Sequence, residues 1–359
     1  MYKTQKRKTK KIKVRNVAIG GDSPISIQSM TKTDTRNISA TAQQIEKLAE
    51  GGCEIIRIAI PDMQSCEAFK EIRNQSDIPL VADIHFDYRL AIKAAEFGAD
   101  KIRINPGNIG SRQRIKKIVD ACRMAQIPIR IGVNAGSLEK DILKKYHHPC
   151  AEAMVESALK HIAMIEEMEF EELIISLKSS NVLTTIKAYR LLAEKVDYPF
   201  HIGISEAGAG TTGVIKSVAG LAILLWEGIG DTVRVSLTGD PIQEVKVAIS
   251  LLRSLNLREQ GAELISCPTC ARCHVDLLKI IEDVEEEISK IKYPIKIAIM
   301  GCEVNGPGEA READIGYAAG KGGGLIFRKG EVIKKIAHQN AADELMHQTK
   351  ELIKSLNKK

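Results

Sequence analysis

The chain has 359 residues, of which 44% are hydrophobic and 27% charged, and a formal net charge of +6. This length suffices for one large domain and one small one. Eight cysteines without a secretory leader indicate a reducing compartment, and no uninterrupted apolar stretch approaches the length of a bilayer. We therefore expect a cytoplasmic globular protein without a membrane partner, which excludes receptors, channels and disulfide-rich secreted proteins.

The positive charge is concentrated in the first fifteen residues, which contain lysines and arginines but no acidic residue. Such a run can bind nucleic acid or an acidic electron-transfer partner, but a solvated, frayed terminus is the simpler interpretation. We therefore expect no nucleic-acid partner. The following segment, VRNVAIGGDSPIS, predicts a hairpin that turns at Gly20, Gly21 and Asp22 and plugs the bottom of a barrel.

Eight short apolar runs, rich in β-branched residues, lie between residues 26 and 255, and each precedes a stretch with helical periodicity. The runs are SIQSM (26–30), IIRIAI (55–60), PLVADI (79–84), KIRINP (101–106), PIRIGVN (128–134), ELIISLKSS (172–180), FHIGISEAG (200–208) and TVRVSLTG (232–239). Buried strands that alternate with amphipathic helices pair in parallel, so eight units predict a (β/α)8 TIM barrel. An open doubly wound sheet usually has fewer strands and a GxGxxG turn, which is missing here.

Charged and polar side chains lie inside or just after these strands. They are Arg57, Asp83, His85, Arg103, Asn105, Arg130, Asn134, Lys178, Glu206 and Ser236. Because an unpaired buried charge is costly, we expect them to line the barrel mouth at the C-terminal strand ends, where this fold holds its active site. Cations from four strands predict a pocket for a strongly anionic ligand, best a diphosphate. A salt bridge to a neighbouring strand remains an equal alternative for any one arginine. Glu206 is either a proton donor or a counter-ion, and His85 either a hydrogen-bond donor to the ligand or a packing residue.

After Asn256 the pattern changes to that of a compact α+β module of about a hundred residues. A strand in ELIS leads into the cysteines, VDLLKIIEDVEEEISKI predicts an amphipathic helix, and IKIAIM predicts a strand. A hairpin around Lys329 and Gly330 and a final helix in AADELMHQTKELIKSL complete the module. We therefore place the domain boundary between residues 258 and 259.

Three cysteines and one glutamate of this module have the spacing of iron–sulfur ligands: Cys267 and Cys270 in ISCPTCARC, then Cys302 and Glu309 in GCEVNGPGEA. Cys273 adds a fourth thiol, and with four thiolates Glu309 is not needed. A cluster that reacts with substrate, however, requires an iron with a displaceable oxygen ligand, which Glu309 supplies. Structural zinc ligands and buried small hydrophobic residues are the alternatives.

Several segments are similar to those of the bacterial 4-hydroxy-3-methylbut-2-enyl diphosphate synthase family: VADIHF, RINPGN, RIGVNAGSLE, GIGDTVRVSLTGDP, ISCPTCAR and GCEVNGPGEAREADIG. The resemblance covers nearly the whole chain outside the lysine-rich start and the final helix. It implies a substrate-binding TIM barrel over residues 1–258 and a sulfite-reductase-like cluster domain over residues 259–359, in a head-to-tail homodimer. This chain departs from the family at Cys273 and Glu303, and neither departure removes a ligand.

The resemblance also implies the reaction, which is the reductive ring opening and dehydration of 2-C-methyl-D-erythritol 2,4-cyclodiphosphate in isoprenoid biosynthesis. It implies a [4Fe-4S] cluster held by Cys267, Cys270, Cys302 and Glu309, with reduced flavodoxin or ferredoxin as electron donor. The diphosphate ligands are then Arg57, Arg103, Arg130, Lys178 and Ser236, and the pocket is completed by Asp83, His85, Asn105, Asn134 and Glu206. We expect Glu206 to be the proton donor and Glu309 to yield its iron to the substrate.

Three other classes of protein fit only part of the sequence. A radical enzyme that uses S-adenosylmethionine carries its Cys-x-x-x-Cys-x-x-Cys loop near the start of the barrel, whereas the cysteines here follow the barrel. A sulfite-reductase-like electron carrier explains the C-terminal module but not the pocket of cations. A nucleic-acid-binding protein rests on the lysine-rich start alone.

Overall fold

The computed structural model describes residues 5–258, 261–302 and 312–357. The chain divides into two compact units, Met1–Arg258 and Glu259–Lys359. None of the helices in the described ranges combines the length and the apolar character that a membrane span requires.

The first unit begins with a small antiparallel hairpin of β1 (Ile12–Val14) and β2 (Val17–Ile19). Its apolar side chains pack against the barrel residues Ile55, Val81 and Ile174, so the hairpin forms the predicted plug. The predicted position of the turn is wrong. The chain reverses at residues 15 and 16, where Arg15 adopts a φ of 55°, a conformation that is rare for arginine. Gly20 instead lies where a Cβ would collide with the carbonyl oxygen of Lys10.

Eight parallel strands form the barrel: β3 (Ser26–Met30), β4 (Ile55–Ala59), β5 (Leu80–Ile84), β6 (Lys101–Ile104), β7 (Ile129–Asn134), β8 (Leu173–Lys178), β9 (His201–Ile202) and β10 (Thr232–Val233). Their order is β8-β7-β6-β5-β4-β3-β10-β9. A parallel bridge between Ile175 and Phe200 joins the two edge strands. The TIM barrel predicted from the alternating pattern is therefore confirmed.

Helices follow these strands and cover the barrel. They are α1 (Ile38–Glu50), α2 (Met63–Asn74), α3 (Tyr88–Glu96), α4 (Pro106–Ile109), α5 (Arg112–Ala125), α6 (Lys140–Tyr146), α7 (Ala151–Glu166), α8 (Val182–Ala193), α9 (Gly210–Trp226) and α10 (Pro241–Ser254). Local sequence fixes where several of them begin. Asp62 and Asn181 accept hydrogen bonds from main-chain N–H groups three residues later, and α10 begins at a proline preceded by the capping residue Asp240.

The basic start of the chain is attached to the barrel from residue 6 onward. The Arg7 guanidinium donates to the carbonyl oxygens of Val196 and Tyr198, and the Lys6 ammonium lies 3.1 Å from the Asp231 carboxylate, which is 1% exposed. The expected solvated, frayed terminus is therefore wrong for these residues. A buried carboxylate and main-chain carbonyls give them partners that the sequence pattern did not reveal.

The second unit contains a mixed sheet in the order β11-β12-β13-β14-β15, with its first three strands parallel and its last three antiparallel. The strands are β11 (Ala262–Ser266), β12 (Ile295–Met300), β13 (Ile315–Gly320), β14 (Gly323–Arg328) and β15 (Glu331–Ile336), and the helices are α11 (Leu277–Lys290) and α12 (Ala341–Leu356). The apolar faces of both helices share one core with the sheet. The predicted hairpin is confirmed, with Lys329 and Gly330 at φ values of 48° and 86°.

Candidate functional site

Six basic side chains from four barrel strands and one strand extension point into the barrel interior, and we refer to them as the cation cluster. They are Arg57, Lys101, Arg103, Arg130, Lys178 and Arg234. Arg130 is 1% exposed and Lys178 is 7% exposed, so both lie deeper than the rim position expected from the sequence. Burial, reinforced by the positive charge of neighbouring arginines, lowers the pKa of Arg130 and the pKa of Lys178 well below their ordinary values.

Asp83 connects part of the cation cluster. Its Oδ1 lies 2.9 Å from Arg103 NH1 and its Oδ2 lies 3.7 Å from Arg57 Nε. Arg103 NH1 also lies 2.6 Å from His85 Nε2 and donates to that nitrogen when the imidazole carries its single proton on Nδ1. Burial opposes ionisation of Asp83, but the positive charges of Arg57 and Arg103 outweigh it and hold the pKa of this carboxyl well below its usual range.

Cations outnumber carboxylates in this part of the barrel. In the part of the chain that the structure describes, the acids whose charge acts on the cation cluster are Asp83, Glu244 and the half-buried Asp100. Within the described residues, Arg103 Nε, Arg130 Nε and Lys101 Nζ are buried without a hydrogen-bond partner. Unsatisfied buried donors are costly, and a bound anion satisfies several at once. The barrel interior is therefore suited to a ligand with several negative charges.

Two glycines, one in a strand and one directly after a strand, leave space for the cation cluster. A Cβ on Gly132 in β7 would lie 2.5 Å from Nε and 2.8 Å from NH2 of Arg103. A Cβ on Gly203, which follows β9, would lie 2.7 Å from Lys178 Nζ and 2.7 Å from the carbonyl oxygen of Arg234. All four distances are shorter than a Cβ contact allows, so glycine at these two positions fixes where the cations lie.

The remaining predicted pocket residues lie at the C-terminal strand ends. Asn105 is buried, caps α4 by accepting from Gly107 N at 3.2 Å, and donates to Ser137 Oγ at 2.9 Å, so its amide already has a structural role. Asn134 ends β7 and is half-buried, as is Ser236 beyond β10. Glu206 is exposed in the loop after β9 and has a φ of 50°, a conformation that non-glycine residues rarely adopt outside functional or strained positions.

Sequence reasoning missed four charged or titratable side chains of this region. Lys101 and Arg234 are cations inside predicted strands, so the criterion that selected Arg57, a charged side chain within a strand, selects them too. His201 lies at the start of a predicted strand, and its Nε2 is 3.2 Å from Lys178 Nζ. Glu244 is 2% exposed on α10 and lies 2.9 Å from Lys32 Nζ, but helical periodicity gave no sign that an acid would face the barrel.

In the second unit, the ends of two parallel strands bring cysteines together. Cys267 directly follows β11, Gly301 and Cys302 directly follow β12, and the two strands pair in register. The Gly301 N–H donates to Cys267 Sγ at 3.3 Å. Cys302 is buried and Cys270 is exposed, and Glu309 lies outside the described residues.

Cys273 lies at the same place. A Cβ on Gly301 would collide with Cys273 Sγ and would lie 3.5 Å from Cys267 Sγ, so these two thiols approach the same glycine. The donor set suits a soft metal centre, because thiolates and N–H···S contacts are typical of iron–sulfur sites. Within residues 5–258, 261–302 and 312–357, no three His, Cys, Asp or Glu side chains are placed to hold one metal ion. The ligands of a four-iron cluster bind different irons and therefore stand further apart than those of one zinc ion.

Both units match one protein family. Residues 9–249 match the GcpE TIM-barrel domain and residues 263–351 match the GcpE protein C-terminal domain. The chain is 55% identical to 4-hydroxy-3-methylbut-2-en-1-yl diphosphate synthase (flavodoxin) of Geobacter sulfurreducens, over 97% of this chain and 99% of that protein. It is also 55% identical to the Clostridium perfringens protein of the same name, over 95% of this chain and 98% of that protein.

A solved structure supports the barrel independently. Dihydropteroate synthase of Yersinia pestis in complex with a sulfonamide drug aligns with a TM-score of 0.52 over 69% of this chain and 100% of that chain, at 13% sequence identity. A likeness at so low an identity concerns the fold alone. Because matches to both domains and to full-length relatives agree with the resemblance found in the sequence, the chain belongs to the GcpE family.

Proposed function

We propose that this chain is a 4-hydroxy-3-methylbut-2-enyl diphosphate synthase, an oxidoreductase of isoprenoid biosynthesis that opens and dehydrates 2-C-methyl-D-erythritol 2,4-cyclodiphosphate. Two electrons and a proton enter, a ring carbon–oxygen bond breaks, and one hydroxyl leaves as water. The observation that carries the proposal is the buried excess of cations in the barrel, with donors that no described residue satisfies. The full-length relatives that bear this name support it.

The cation cluster acts on the charge that the reaction creates. When the ring carbon–oxygen bond breaks, the oxygen that stays on phosphorus gains negative charge, so the diphosphate is more anionic in the transition state than in the ring. Arg57, Arg103, Arg130 and Lys178 lie in a buried environment, where such charge is stabilised more strongly than in water. Preorganised donors therefore lower the barrier in addition to binding the substrate.

Rim residues complete the substrate site. Ser236 and Asn134 offer a hydroxyl and an amide at strand ends, His85 offers its ring beside Arg103, and Asn105 supports the neighbouring loop through Ser137. Asp83 acts through the arginines, because its carboxylate orients two guanidinium groups and limits their mutual repulsion.

We propose that Glu206 donates the proton with which the hydroxyl leaves as water. It is exposed in the loop that follows β9, it has no structural partner among the described residues, and its backbone conformation is unusual. A carboxyl group at a barrel mouth can exchange protons with solvent and donate to a departing hydroxyl. Replacement of Glu206 by Gln should lower kcat and leave substrate binding nearly unchanged.

The second unit is proposed to hold a [4Fe-4S] cluster on Cys267, Cys270, Cys302 and Glu309. The approach of the Cys267 and Cys273 thiols to Gly301, which directly precedes Cys302, fits a thiolate-bound cluster. When bound, such a cluster supplies the two electrons, one at a time, and an iron with Lewis-acid character. The Gly301 N–H stabilises charge on Cys267 Sγ, which raises the reduction potential of a thiolate-bound centre.

Flavodoxin is the proposed electron donor, because the relatives carry it in their names, and ferredoxin is the alternative. We further propose that the active form is a homodimer, an inference that rests on family resemblance. Light scattering of the purified protein at micromolar concentration distinguishes a dimer from a monomer.

Calorimetric binding of the cyclic diphosphate to anaerobically purified, unreduced protein tests the substrate assignment. Arg130→Met should weaken binding by about 10- to 100-fold, because a buried charge-assisted contact contributes about 1.5–3 kcal/mol. The same variant should retain the iron and sulfide content of the wild type. Equal affinity of the two proteins would remove the main support for the proposal.

A further inference from the structure

A buried histidine contacts the lysine of the cation cluster. His201 begins β9, is 0% exposed, and places its Nε2 3.2 Å from Lys178 Nζ. Tyr189 Oη donates to the main-chain carbonyl of His201 at 2.7 Å and accepts from Leu177 N at 3.0 Å, so one tyrosine ties β9 to β8 beside the contact. The two side chains are therefore held by the barrel itself.

Positive charge surrounds this pair on the neighbouring strands. The charged groups that act on Lys178 or His201 are Arg57 on β4, Lys101 and Arg103 on β6, Arg130 on β7 and Arg234 beyond β10. Asp83 on β5 and Glu244 on α10 act on the arginines of this set, and Tyr189 on α8 contacts the main chain of His201. Within the described residues, His201 Nε2 is the hydrogen-bond partner of Lys178 Nζ. Lys178 therefore meets one acceptor in a predominantly cationic environment.

The direction of this hydrogen bond depends on the protonation of Lys178. An ammonium can only donate, so with Lys178 in that form Nε2 carries a lone pair and the proton of the neutral ring is on Nδ1, which is buried without a partner among the described residues. Burial, together with the charges of Lys178 and Arg130, lowers the pKa of His201 well below its ordinary value, which keeps the ring neutral. His201 is thus a fixed acceptor.

We propose that His201 is a positioning residue for substrate binding: its neutral Nε2 accepts from Lys178, favours the ammonium form of that lysine, and directs the other N–H bonds toward the diphosphate. This role rests on the proposed function, because Lys178 is assigned to the diphosphate there. Gly203 supports it, since any side chain at that position would displace Lys178 Nζ from His201.

The test is the affinity of the unreduced holoenzyme for the cyclic diphosphate, measured by calorimetry between pH 6 and 9. In His201→Leu the lysine loses its acceptor, so its ammonium form is destabilised. Binding should therefore weaken about tenfold at the alkaline end of the range, and the fall in affinity should begin at a lower pH than in the wild type. His201→Gln offers an amide oxygen near the position of Nε2 and should restore most of the wild-type profile.

Lys178→Met is the matched background. There the His201→Leu change should alter affinity less than twofold, because the lysine through which it acts is absent. An unchanged pH profile in His201→Leu, or an equal loss of affinity in the Lys178→Met background, overturns the inference while leaving the proposed function intact. If the wild type itself does not bind the cyclic diphosphate, the proposed function fails as well.

A second measurement observes the histidine ring of the wild type directly. Nitrogen NMR of wild-type protein with 15N-labelled histidine, assigned with His201→Gln, reports the tautomer of the ring. We expect the proton on Nδ1 and a neutral ring throughout pH 6 to 8. A proton on Nε2, or a ring that titrates within this range, would contradict the inference.

Discussion

Replacing Gly132 by alanine tests whether the geometry of the cation cluster depends on a missing side chain. The new Cβ would lie 2.5 Å from Arg103 Nε and 3.1 Å from Cζ, whereas relaxed nonbonded contacts need about 3.5 Å. The guanidinium must therefore move by roughly 1 Å. Arg103 is 3% exposed and lies 2.9 Å from Asp83, so it cannot move into solvent and its hydrogen bond to Asp83 lengthens beyond the normal range.

The expected cost has two parts. Overpacking a buried site destabilises a protein by typically 1–3 kcal/mol, and we expect about 2 kcal/mol here because the displaced group is the end of a long side chain. Loss of a charge-assisted contact from Arg103 to the substrate should weaken binding by about tenfold or more. Urea unfolding measures the first quantity and calorimetry with the cyclic diphosphate measures the second.

Gly136 provides the matched control. It lies four residues further along the chain, and a Cβ there would meet nothing within 4 Å. Gly136→Ala should therefore change stability by less than about 0.5 kcal/mol and leave binding unchanged. If Gly132→Ala behaves like Gly136→Ala in both assays, the argument that glycine fixes the position of Arg103 is wrong.

Three further predictions concern other parts of the chain. Asp83→Asn should lower the free energy of unfolding by a constant amount from pH 5 to 8. Because the pKa of Asp83 is held low in the folded state, the difference between variant and wild type should shrink only below about pH 4. A difference that changes between pH 5 and 8 would contradict this assignment. Cys273→Ser should retain the iron and sulfide content of the wild type while Cys267→Ser loses it, and equal loss in both variants would show that Cys273 is a ligand. Asp231→Asn should expose the N-terminal segment, so trypsin should cleave after Lys6 and the following arginine faster than in the wild type; an unchanged cleavage rate would show that the ion pair does not hold the segment.

The barrel and the second unit could be predicted because their sequence signals are strong and local. Eight β-branched runs, each followed by a helical pattern, leave few alternatives to a closed parallel barrel, and Lys329 and Gly330 specify their hairpin directly. Strand β13 was not predicted, because IGYAAG is rich in small residues that carry little strand preference. The first hairpin was placed wrongly, because a glycine pair is a better turn signal than Arg15, which takes the left-handed conformation here.

The candidate site was less accessible to sequence reasoning than the fold. Cations inside strands are unusual enough to be noticed, and Arg57, Arg103 and Arg130 do approach one another in the structure. Depth and pairing could not be read from the pattern, because they depend on the stagger of neighbouring strands. Contacts such as that between His201 and Lys178 join segments 23 residues apart and appear only once the barrel closes.

Turnover under anaerobic conditions tests the central claim most directly. The purified protein, with its iron and sulfide content determined, is incubated with the cyclic diphosphate and reduced flavodoxin, and products are identified by mass spectrometry. We predict one 4-hydroxy-3-methylbut-2-enyl diphosphate for every two electrons consumed. If protein with a full complement of iron and sulfide binds the cyclic diphosphate but yields no such product with either reduced flavodoxin or reduced ferredoxin, the claim is contradicted.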